Sequence, residues 1–400
     1  MIIDAYALRA LGLLTTRPRK FAALYRMIKN KDRSRIMRSI GEDVVAPPPQ
    51  TIAVIPTYRC NLSCVQCGQW GPAGFLKTGY NDYCDKSKEL TREQLKSFID
   101  QVASFKPYLY FTGGEPLLRE DLCDVIAHAS SKGILTSLNS NCTLMAEKSE
   151  DIVKSGLDYL YASLADTEER NGKIRRCGIS SRSASEGISA VFESRRKLKS
   201  LLPIIEIRTT VTKDNQGYLL DLARYVDVEL QADAFGIALP IFTTKKLAED
   251  SKSVFRKQFN IDAKCWEGFA GGIEEGIDSR IVEDQINKIK RTQWNFRLKL
   301  YPDTGRQPID YNLYFKQPEK MAGGVSFCAA PYFFSSLLPN GDIAACVSVP
   351  DYIAGNILEN DFLNIWNGPR YVTFREYTRK HFYPACTRCI HLHTFSAEGV

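Results

Sequence analysis

The sequence has no apolar run of about 18 residues, the length that an α-helix needs to cross a bilayer. It also has no small-residue cleavage site behind a clean apolar core, the mark of a removable secretory signal. A recognised nucleic-acid-binding fold is missing too, so no nucleic-acid partner is expected. These absences predict a cytoplasmic protein whose thiols stay reduced. Its twelve cysteines are therefore expected to bind metal or to serve catalysis, not to form disulfides.

Positive charge is concentrated near the N-terminus. The formal net charge is +7, yet residues 1–40 alone contain ten Lys or Arg and two Asp, so the rest of the chain is close to neutral. Apolar residues are mixed with these cations as in amphipathic helices, which predicts a basic helical extension over residues 1–50. We favour packing of this extension on the core. The alternatives are peripheral contact of residues 1–40 with an anionic membrane, and a lid over an acidic or lipid-like substrate.

Three cysteines follow the first apolar run after this extension. Cys60, Cys64 and Cys67 have the spacing C-x3-C-x2-C. A structural zinc ion and the common iron–sulfur clusters take four protein ligands, so three thiolates leave one metal position open to a small molecule. This pattern indicates a catalytic iron site. The alternative is a zinc site with a fourth ligand from elsewhere, such as His128.

Two later segments complete a recognisable pattern. The run Gly113-Gly114-Glu115-Pro116 closes a strand-like stretch from Tyr108 to Thr112, and Tyr159 to Leu164 is another such stretch. Together with the cysteine loop, and in this order, they resemble the radical S-adenosylmethionine (radical SAM) enzymes. The resemblance covers roughly residues 51–240 and is highly specific.

The resemblance implies that Cys60, Cys64 and Cys67 hold a 4Fe-4S cluster whose fourth iron binds the amino and carboxylate groups of S-adenosylmethionine (SAM). With an electron from a donor such as flavodoxin or ferredoxin, SAM would split into methionine and a 5'-deoxyadenosyl radical, which takes a hydrogen atom from the substrate. The sequence departs from the family at Cys142, where relatives carry glycine, and at Asn171, where they carry histidine. The implied SAM contacts are Gly113, Gly114 and Glu115 at the amino group, Ser163 at the ribose or carboxylate, and Asn141, Arg175 and Arg208.

Six strand–helix repeats are predicted between residues 51 and 240. One helix start is clear, because Thr91 with Gln94 three residues later forms a capping-box pattern. The fold class is therefore α/β, a partial and open (β/α)6 barrel of the TIM type with its site at the carboxyl ends of the strands. The next segment, 241–320, matches no motif and is predicted to be a substrate-facing insertion with helices near 249–259 and 278–290.

The strand predicted at residues 204–211 has one polar face. Glu206, Arg208 and Thr210 share that face, because side chains alternate along a strand. A polar face inside a small barrel indicates a site in which Arg208 is suited to hold the SAM carboxylate. An equal alternative is that Arg208 caps a neighbouring helix.

The last cysteines form a second group. Cys328 and Cys346 flank the hairpin signal Asn340-Gly341, which brings them together. Cys386 and Cys389 follow as a C-x2-C pair. This region resembles the twitch domain, a shortened SPASM domain at the C-terminus of related enzymes. The resemblance implies a small hairpin and helix domain with one auxiliary 4Fe-4S cluster that accepts or conducts electrons. A four-cysteine zinc site is the alternative.

Most of the other cysteines are expected to be buried apolar residues. Cys265 and Cys177 lie in irregular segments near the predicted mouth of the barrel, so they are candidates for returning a hydrogen atom to a substrate radical. The predicted domains are 1–50 (helical extension), 51–240 (barrel), 241–320 (insertion) and 321–400 (auxiliary-cluster domain).

The predicted function is that of a radical SAM enzyme in a biosynthetic pathway, which abstracts hydrogen and finishes by dehydrogenation, C–C or C–X bond formation, or epimerisation. Related enzymes act on peptides, protein side chains and small molecules. About 50 residues precede the barrel, which is short for the leader-binding module of peptide-modifying relatives and favours a small-molecule or lipid-like substrate over a peptide. The competing hypothesis is a non-catalytic iron–sulfur or zinc protein, associated with a membrane, that kept the fold.

Overall fold

The computed structural model describes residues 18–20, 45–78, 81–176, 182–303, 308–322, 325 and 327–396. Most of the predicted N-terminal extension, and Cys177, lie outside these residues. The described part contains ten strands: β1 Thr51–Val54, β2 Tyr108–Phe111, β3 Thr136–Ser140, β4 Tyr159–Ser163, β5 Ile204–Thr210, β6 Ala234–Ala238, β7 Arg297–Tyr301, β8 Phe334–Leu337, β9 Asp342–Ala344 and β10 Ile353–Asn356.

These strands form a single sheet in the order β10-β9-β8-β1-β2-β3-β4-β5-β6-β7. Neighbours from β1 to β7 are parallel, β8 is parallel to β1, and β9 and β10 add an antiparallel edge. The predicted α/β fold with a partial barrel is confirmed, and the six predicted barrel strands are β1 to β6. The carboxyl ends of β1 to β7 meet at one edge of the sheet, where parallel-strand folds place their sites.

Two features of the sheet were not predicted. β7 lies in the segment assigned to an insertion, and it pairs with β6 from Ala234↔Arg297 to Ala238↔Tyr301. β8 belongs to the C-terminal hairpin, and it pairs with β1 along its whole length. The sheet therefore continues from the barrel strands into the C-terminal segment without a break.

The helices connect and cover the strands. Thr91 Oγ1 accepts from Gln94 N at 3.2 Å, and Thr91 N donates to Gln94 Oε1 at 2.8 Å, so the predicted capping box is present. The two helices predicted in segment 241–320 are also found. No described helix combines the length and apolar character needed to cross a bilayer. The described helices are α1 Phe75–Thr78, α2 Arg92–Val102, α3 Leu122–Ser131, α4 Met145–Lys154, α5 Glu168–Arg175, α6 Arg182–Lys197, α7 Leu219–Tyr225, α8 Lys245–Phe259, α9 Ser279–Arg291, α10 Tyr311–Lys316, α11 Phe362–Trp366, α12 Pro369–Lys380 and α13 Ile390–Ser396.

The two faces of the parallel strands differ in chemistry. One face is apolar and packs under the helices: Leu109, Leu138, Leu160, Ile207 and Phe235 are all fully buried in the core. The other face lines the barrel interior and is polar or aromatic. Because side chains alternate along a strand, this face carries Tyr108, Tyr110, Asn139, Tyr159, Tyr161, Ser163, Glu206, Arg208, Thr210, Gly236, Lys299 and Tyr301.

One short described part of the N-terminal segment, Pro18–Lys20, packs at the amino ends of the strands. Lys20 Nζ donates to Asp158 Oδ2 at 2.5 Å and to Gly156 O at 3.2 Å. Asp158 directly precedes β4 and also accepts from the backbone N–H of Thr136. These three residues contact the core, and the packing of the rest of the extension stays a prediction. The predicted membrane contact and the lid concern residues outside the described part of the chain.

Candidate functional site

The three cysteines of the first motif lie in the loop after β1, at the carboxyl edge of the sheet. Cys67 N donates to Cys64 O at 3.1 Å, which closes a turn within the motif. All three cysteine residues are half-buried. Two sulfurs accept backbone N–H groups, Cys60 from Leu62 at 3.4 Å and Cys67 from Trp70 at 3.3 Å. Such donors stabilise thiolate ligands and tune a bound cluster, so the donor set fits a thiolate-held cluster.

The protonation of Cys60 and Cys67 is set mainly by burial. Burial raises the pKa of Cys60 to about 12, and it raises the pKa of Cys67 against the opposing backbone hydrogen bonds. Because metal ligands must be deprotonated, cluster assembly has to release these protons. Among the described residues, no three His, Cys, Asp or Glu side chains converge closely enough to hold one metal ion. A 4Fe-4S cluster requires a wider arrangement, since each thiolate binds a different iron.

The cysteine loop is anchored on both sides. Val65 N donates to Ile174 O of α5 at 2.9 Å. The indole Nε1 of Trp70 donates to Tyr58 O at 2.7 Å and so ties the end of the loop to its beginning. These bonds hold the loop in place by protein contacts alone.

The two glycines after β2 allow the chain to pass directly beside this loop. Gly113 has φ 132°, and a Cβ there would lie 2.5 Å from Thr57 O. A Cβ at Gly114 would lie 2.1 Å from Arg59 O. Any larger residue would push the β2 turn away from the cysteine loop. The predicted contact of both glycines with the SAM amino group stays a prediction.

Glu115 is fully buried and joins three chain segments. Its Oε1 accepts from Leu117 N at 3.0 Å and from Ser140 Oγ at 2.9 Å, and its Oε2 accepts from Asn141 N at 2.7 Å. Burial raises the pKa of Glu115, while these three donors favour the charged form and oppose that shift. The carboxylate therefore fixes the ends of β2 and β3 relative to each other. Its predicted contact with the ammonium of SAM stays a prediction.

Asn141, Arg175 and Ser163 are brought together with the cysteine loop. The Asn141 side-chain amide donates to Asn61 Oδ1 at 2.8 Å, and its nitrogen lies 4.0 Å from Cys60 Sγ. Arg175 donates from Nη1 to Asn141 O at 2.7 Å and from Nη2 to Ser163 O. The ends of β3 and β4 are thereby tied to α5 beside the cluster loop. Their roles toward SAM remain predictions.

Cys142 occupies the position where relatives carry glycine. Its φ is 73°, in the left-handed region that glycine adopts without cost. The side chain is fully buried, and burial raises its pKa to about 12. The backbone therefore keeps the glycine-like conformation, and the thiol faces the protein interior.

Arg208 lies inside the barrel, paired with Glu206. Its Nε donates to Glu206 Oε1 at 3.0 Å, and its guanidinium lies 4.0 Å from the ring centre of Tyr161 and 4.3 Å from that of Tyr301. None of these described contacts is with a helix end, so they do not support the helix-capping alternative. Contact with the SAM carboxylate stays a prediction.

No sequence motif marks the residues that surround this pair. Tyr159 Oη donates to Glu206 Oε2 at 2.6 Å and accepts from Lys299 Nζ at 2.7 Å. Tyr301 Oη donates to Glu206 Oε1 at 3.1 Å. The available signal was the alternation of Arg297 to Tyr301, which is typical of a strand with one polar face.

The four C-terminal cysteines converge, although they come from three segments. Burial raises the pKa of Cys386 well above its usual value, and the nearby thiols of Cys389, Cys328 and Cys346 raise it further. Burial also raises the pKa of Cys346 to about 12, with Cys389 adding to the shift. Ser348 Oγ lies 3.5 Å from Cys389 Sγ. Four thiols in mutual range are the donor set of a fully ligated iron–sulfur cluster.

Arg388, inside the C-x2-C pair, holds this site to α10, and no sequence motif marks it. The side chain is fully buried. It donates to five backbone carbonyls, those of Leu313, Tyr314, Gln317, Lys320 and Thr387, at 2.7–2.9 Å. Three of them belong to the last turn of α10 and the residue after it, where carbonyl oxygens lack helical partners and the helix dipole favours a cation.

Cys265 is fully buried at the junction between the two cysteine sites. Burial raises the pKa of its thiol well above the usual value, and the neighbouring Cys346 thiol adds to the shift. The adjacent Lys264 N donates to Asp351 Oδ1 at 2.7 Å. On the other side, a Cβ at Gly268 would lie 2.0 Å from Gly68 O of the first cysteine loop. The predicted role of Cys265 as a hydrogen donor stays a prediction, and Cys177 lies outside the described residues.

Two family models match the chain. The model of the Radical SAM superfamily matches residues 54–211, which include the first three cysteines and all predicted SAM contacts. The model of SPASM, an iron–sulfur cluster-binding domain, matches residues 328–390, which include all four C-terminal cysteines.

Similar proteins cover most of the chain. The tungsten-containing aldehyde ferredoxin oxidoreductase cofactor-modifying protein of Pyrococcus furiosus is 22% identical over 83% of this chain and 85% of its own length. The AdoMet-dependent heme synthase of Methanosarcina barkeri is 29% identical over 80% of this chain and 82% of its own. The crystal structure of Streptococcus suis SuiB bound to the precursor peptide SuiA aligns with a TM-score of 0.60 and 17% identity, over 92% of this chain and 75% of that one. This last likeness is one of fold.

The cofactors follow from the two domains. The chain binds a 4Fe-4S cluster and SAM in its first domain and an auxiliary iron–sulfur cluster in its second. Cys60, Cys64 and Cys67 are the residues that would hold the first cluster, and Cys328, Cys346, Cys386 and Cys389 those that would hold the second.

Proposed function

Because this chain belongs to the radical SAM superfamily and carries a C-terminal iron–sulfur domain of the SPASM type, we propose that it abstracts hydrogen from a C–H bond of a small-molecule or peptide substrate and completes the reaction by dehydrogenation or bond formation. When bound, the cluster and SAM supply the 5'-deoxyadenosyl radical that removes the hydrogen atom. We further propose that the electron comes from a flavodoxin- or ferredoxin-type donor.

The observation that carries this proposal is the single hydrogen-bonded edge above the barrel interior. Glu115 joins the ends of β2 and β3, and Asn141 and Arg175 join that edge to the cysteine loop and to β4. Below this edge lies the face lined by tyrosines, Glu206, Arg208 and Lys299. A reactive group at the edge and a substrate in the interior would be adjacent and shielded from water, as radical chemistry requires.

Two observations bear on the outcome of the reaction. Four converging thiolates would ligate an auxiliary cluster fully, which suits electron transfer and leaves no iron for substrate. Cys265 lies beside Cys346 at the junction of the sites. We therefore favour an oxidative outcome over epimerisation, which requires a hydrogen donor at the substrate.

The substrate class is proposed from the relatives. One is named as a heme synthase, and SuiB was solved with a precursor peptide. Both a small molecule and a peptide thus have precedent among similar proteins. The preference for a small or lipid-like molecule stays a prediction.

SAM cleavage tests the proposed function. Wild-type protein loaded with clusters under anaerobic conditions and reduced with dithionite should convert SAM to 5'-deoxyadenosine and methionine, measured by mass spectrometry. A triple variant, Cys60→Ala, Cys64→Ala and Cys67→Ala, should not. Cys123→Ala, on α3 away from both sites, is the matched cysteine control and should retain cleavage. Failure of the loaded wild-type protein to cleave SAM would instead support the non-catalytic hypothesis.

A further inference from the structure

Two cations inside the barrel share one buried carboxylate. Arg208 Nη2 lies 2.9 Å from Glu206 Oε1, and Lys299 Nζ lies 3.3 Å from Glu206 Oε2. The Glu206 side chain is fully buried, whereas the side chains of Arg208 and Lys299 are 23% and 24% exposed. On this face of the described strands β2 to β7, Glu206 is the one acidic residue. Glu206, Arg208 and Lys299 together carry two positive charges and one negative charge. The two cations are the members of this group that are partly exposed.

Glu206 has little capacity left to balance both cations. In addition to them, it accepts from Tyr159 Oη at 2.6 Å and from Tyr301 Oη at 3.1 Å. Gly236 provides the space for this arrangement, since a Cβ there would lie 2.5 Å from Glu206 Oε1. A partly exposed arginine or lysine can accept a further anionic partner, and charge-assisted hydrogen bonds to carboxylate or phosphate are the strongest that it forms.

Aromatic rings fix the orientation of the arginine and line the space around it. The guanidinium lies between the rings of Tyr161 and Tyr301. Tyr161 also contacts two further rings, Tyr159 at 4.6 Å and Tyr110 at 5.7 Å between centres. Guanidinium held in this way presents a rigid set of donors suited to carboxylate or phosphate. The rings offer an apolar and π-rich surface to the rest of a ligand.

The two cations differ in their distance from the predicted SAM contacts. Most of those contacts lie at the ends of β2, β3 and β4, and Ser163 on β4 pairs in register with Arg208 on β5. Lys299 lies two strands further along, on β7 at the edge of the sheet. Arg208 pairs in register with Gly236, and Gly236 with Lys299, so the two cations lie level on either side of a glycine. The Glu206 carboxylate occupies the space beside this glycine and contacts both cations.

We propose that Arg208 and Lys299 bind an anionic group of the substrate, a carboxylate or a phosphate, and that the surrounding tyrosines contact its aromatic or unsaturated part. The proposal rests on the proposed function, because it takes the barrel interior as the substrate chamber. It assigns Arg208 to the substrate in place of the contact with the SAM carboxylate that the sequence predicts. Lys299, which no motif marks, becomes a specificity-determining residue.

Small aromatic probes test the proposal without knowledge of the substrate. Binding of 3-phenylpropionate, its neutral amide and phenyl phosphate is measured by isothermal titration calorimetry on cluster-loaded protein. The acid or the phosphate should bind at least about tenfold tighter than the amide. The reason is that a hydrogen bond to a charged partner contributes enough free energy for a tenfold change in affinity. Which of the two anions binds tighter identifies the group. Lys299→Gln should lower the affinity for that anion about tenfold and leave the amide unaffected.

The controls separate this proposal from structural effects and from the proposed function. Lys288→Gln, on the exposed face of α9, should bind all probes as the wild type does. Thermal unfolding of Lys299→Gln identifies any loss of folded protein. Arg208→Lys provides a second variant, which keeps the positive charge but removes the planar guanidinium with its paired donors.

Three outcomes would overturn the proposal. They are equal affinity for the acid, the phosphate and the amide, absence of binding by either anion, and variants that weaken SAM binding while probe affinity stays unchanged. The last of these outcomes would instead support the predicted contact of Arg208 with the SAM carboxylate. SAM cleavage by the same wild-type preparation reports separately on the proposed function.

Discussion

The two cysteine sites of this chain are built in opposite ways. Cys60, Cys64 and Cys67 come from one loop of eight residues at the edge of the sheet, and their positions are set by backbone bonds within and beside that loop. The four C-terminal cysteines come from three segments that are far apart in the sequence, and they meet in the protein interior. The first site offers three thiolates, which would leave one metal position open to a small molecule, whereas the second offers four, which would ligate a cluster fully.

This difference teaches which parts of a metal site depend on local sequence. An open site can be supplied by a short loop, because its remaining ligand arrives from solution. A closed site needs long-range packing to bring its ligands together, here through Arg388 and through the pairing of β8 with β1. Damage to the fold should therefore reach the closed site first.

The largest expected effect is the loss of product formation without loss of SAM cleavage, which would show that the two cysteine sites have different functions. The double variant Cys386→Ala and Cys389→Ala should lose the auxiliary cluster and all turnover of substrate to product, while SAM cleavage stays within about threefold of the wild type. The measurement is 5'-deoxyadenosine formation beside product formation in the same reaction. Equal loss of both activities would mean that the two sites are not separable.

The second prediction concerns Arg388. Arg388→Gln should destabilise the protein by about 3–5 kcal/mol, because buried carbonyl oxygens of α10 and its neighbours lose their donors. Auxiliary iron should fall, whereas the SAM-sensitive spectrum of the first cluster should persist. Urea unfolding and iron analysis measure these effects. Arg280→Gln, an exposed arginine on α9, is the control and should match the wild type; an Arg388→Gln protein that keeps its auxiliary iron would contradict the account.

The third prediction tests the open site in the same way. Glu115→Ala should cost about 2–4 kcal/mol, because three buried donors lose their acceptor. Glu115→Gln should recover part of this loss, since its amide oxygen can still accept from Leu117 and Ser140. The exposed Glu93→Ala serves as control in urea unfolding. A Glu115→Ala protein as stable as the wild type would show that the carboxylate does not hold β2 to β3.

The smallest expected effect lies at the junction of the sites. Burial raises the pKa of Asp351 to about 6. A carboxyl whose pKa is higher in the folded state stabilises less as pH rises, so the wild type should lose about 1–2 kcal/mol between about pH 4 and pH 6. Asp351→Asn keeps the acceptor for Lys264 N and should remove that loss, which makes it more stable than the wild type at pH 7. Parallel pH dependence in both proteins, with the exposed Asp284→Asn as control, would contradict the assigned pKa.

Local sequence patterns predicted much of the fold and much of the first cysteine site. The first six strands, the capping box at Thr91 and the cysteine spacing are each encoded within a few consecutive residues. The same holds for the glycines after β2, whose necessity the structure explains by the close backbone of Thr57 and Arg59.

Other features depend on residues that are distant in the sequence and could not be read from it. Arg388 reaches carbonyls about 70 positions earlier, and no pattern distinguishes it from an exposed arginine. Lys299 and Tyr301 meet Glu206 only because β7 joins the sheet beside β6. The strand itself was missed because three of its five residues are polar or aromatic and it follows a long segment without motifs.

The measurement that tests the account most directly is iron and sulfide content with Mössbauer and EPR spectra, on the anaerobically prepared wild type and on the variant that lacks Cys60, Cys64 and Cys67. The account predicts about eight irons in the wild type and about four in the variant, with loss of the signal that responds to SAM. About four irons falling to none, with zinc retained at the C-terminal site, would contradict it and would make that site structural.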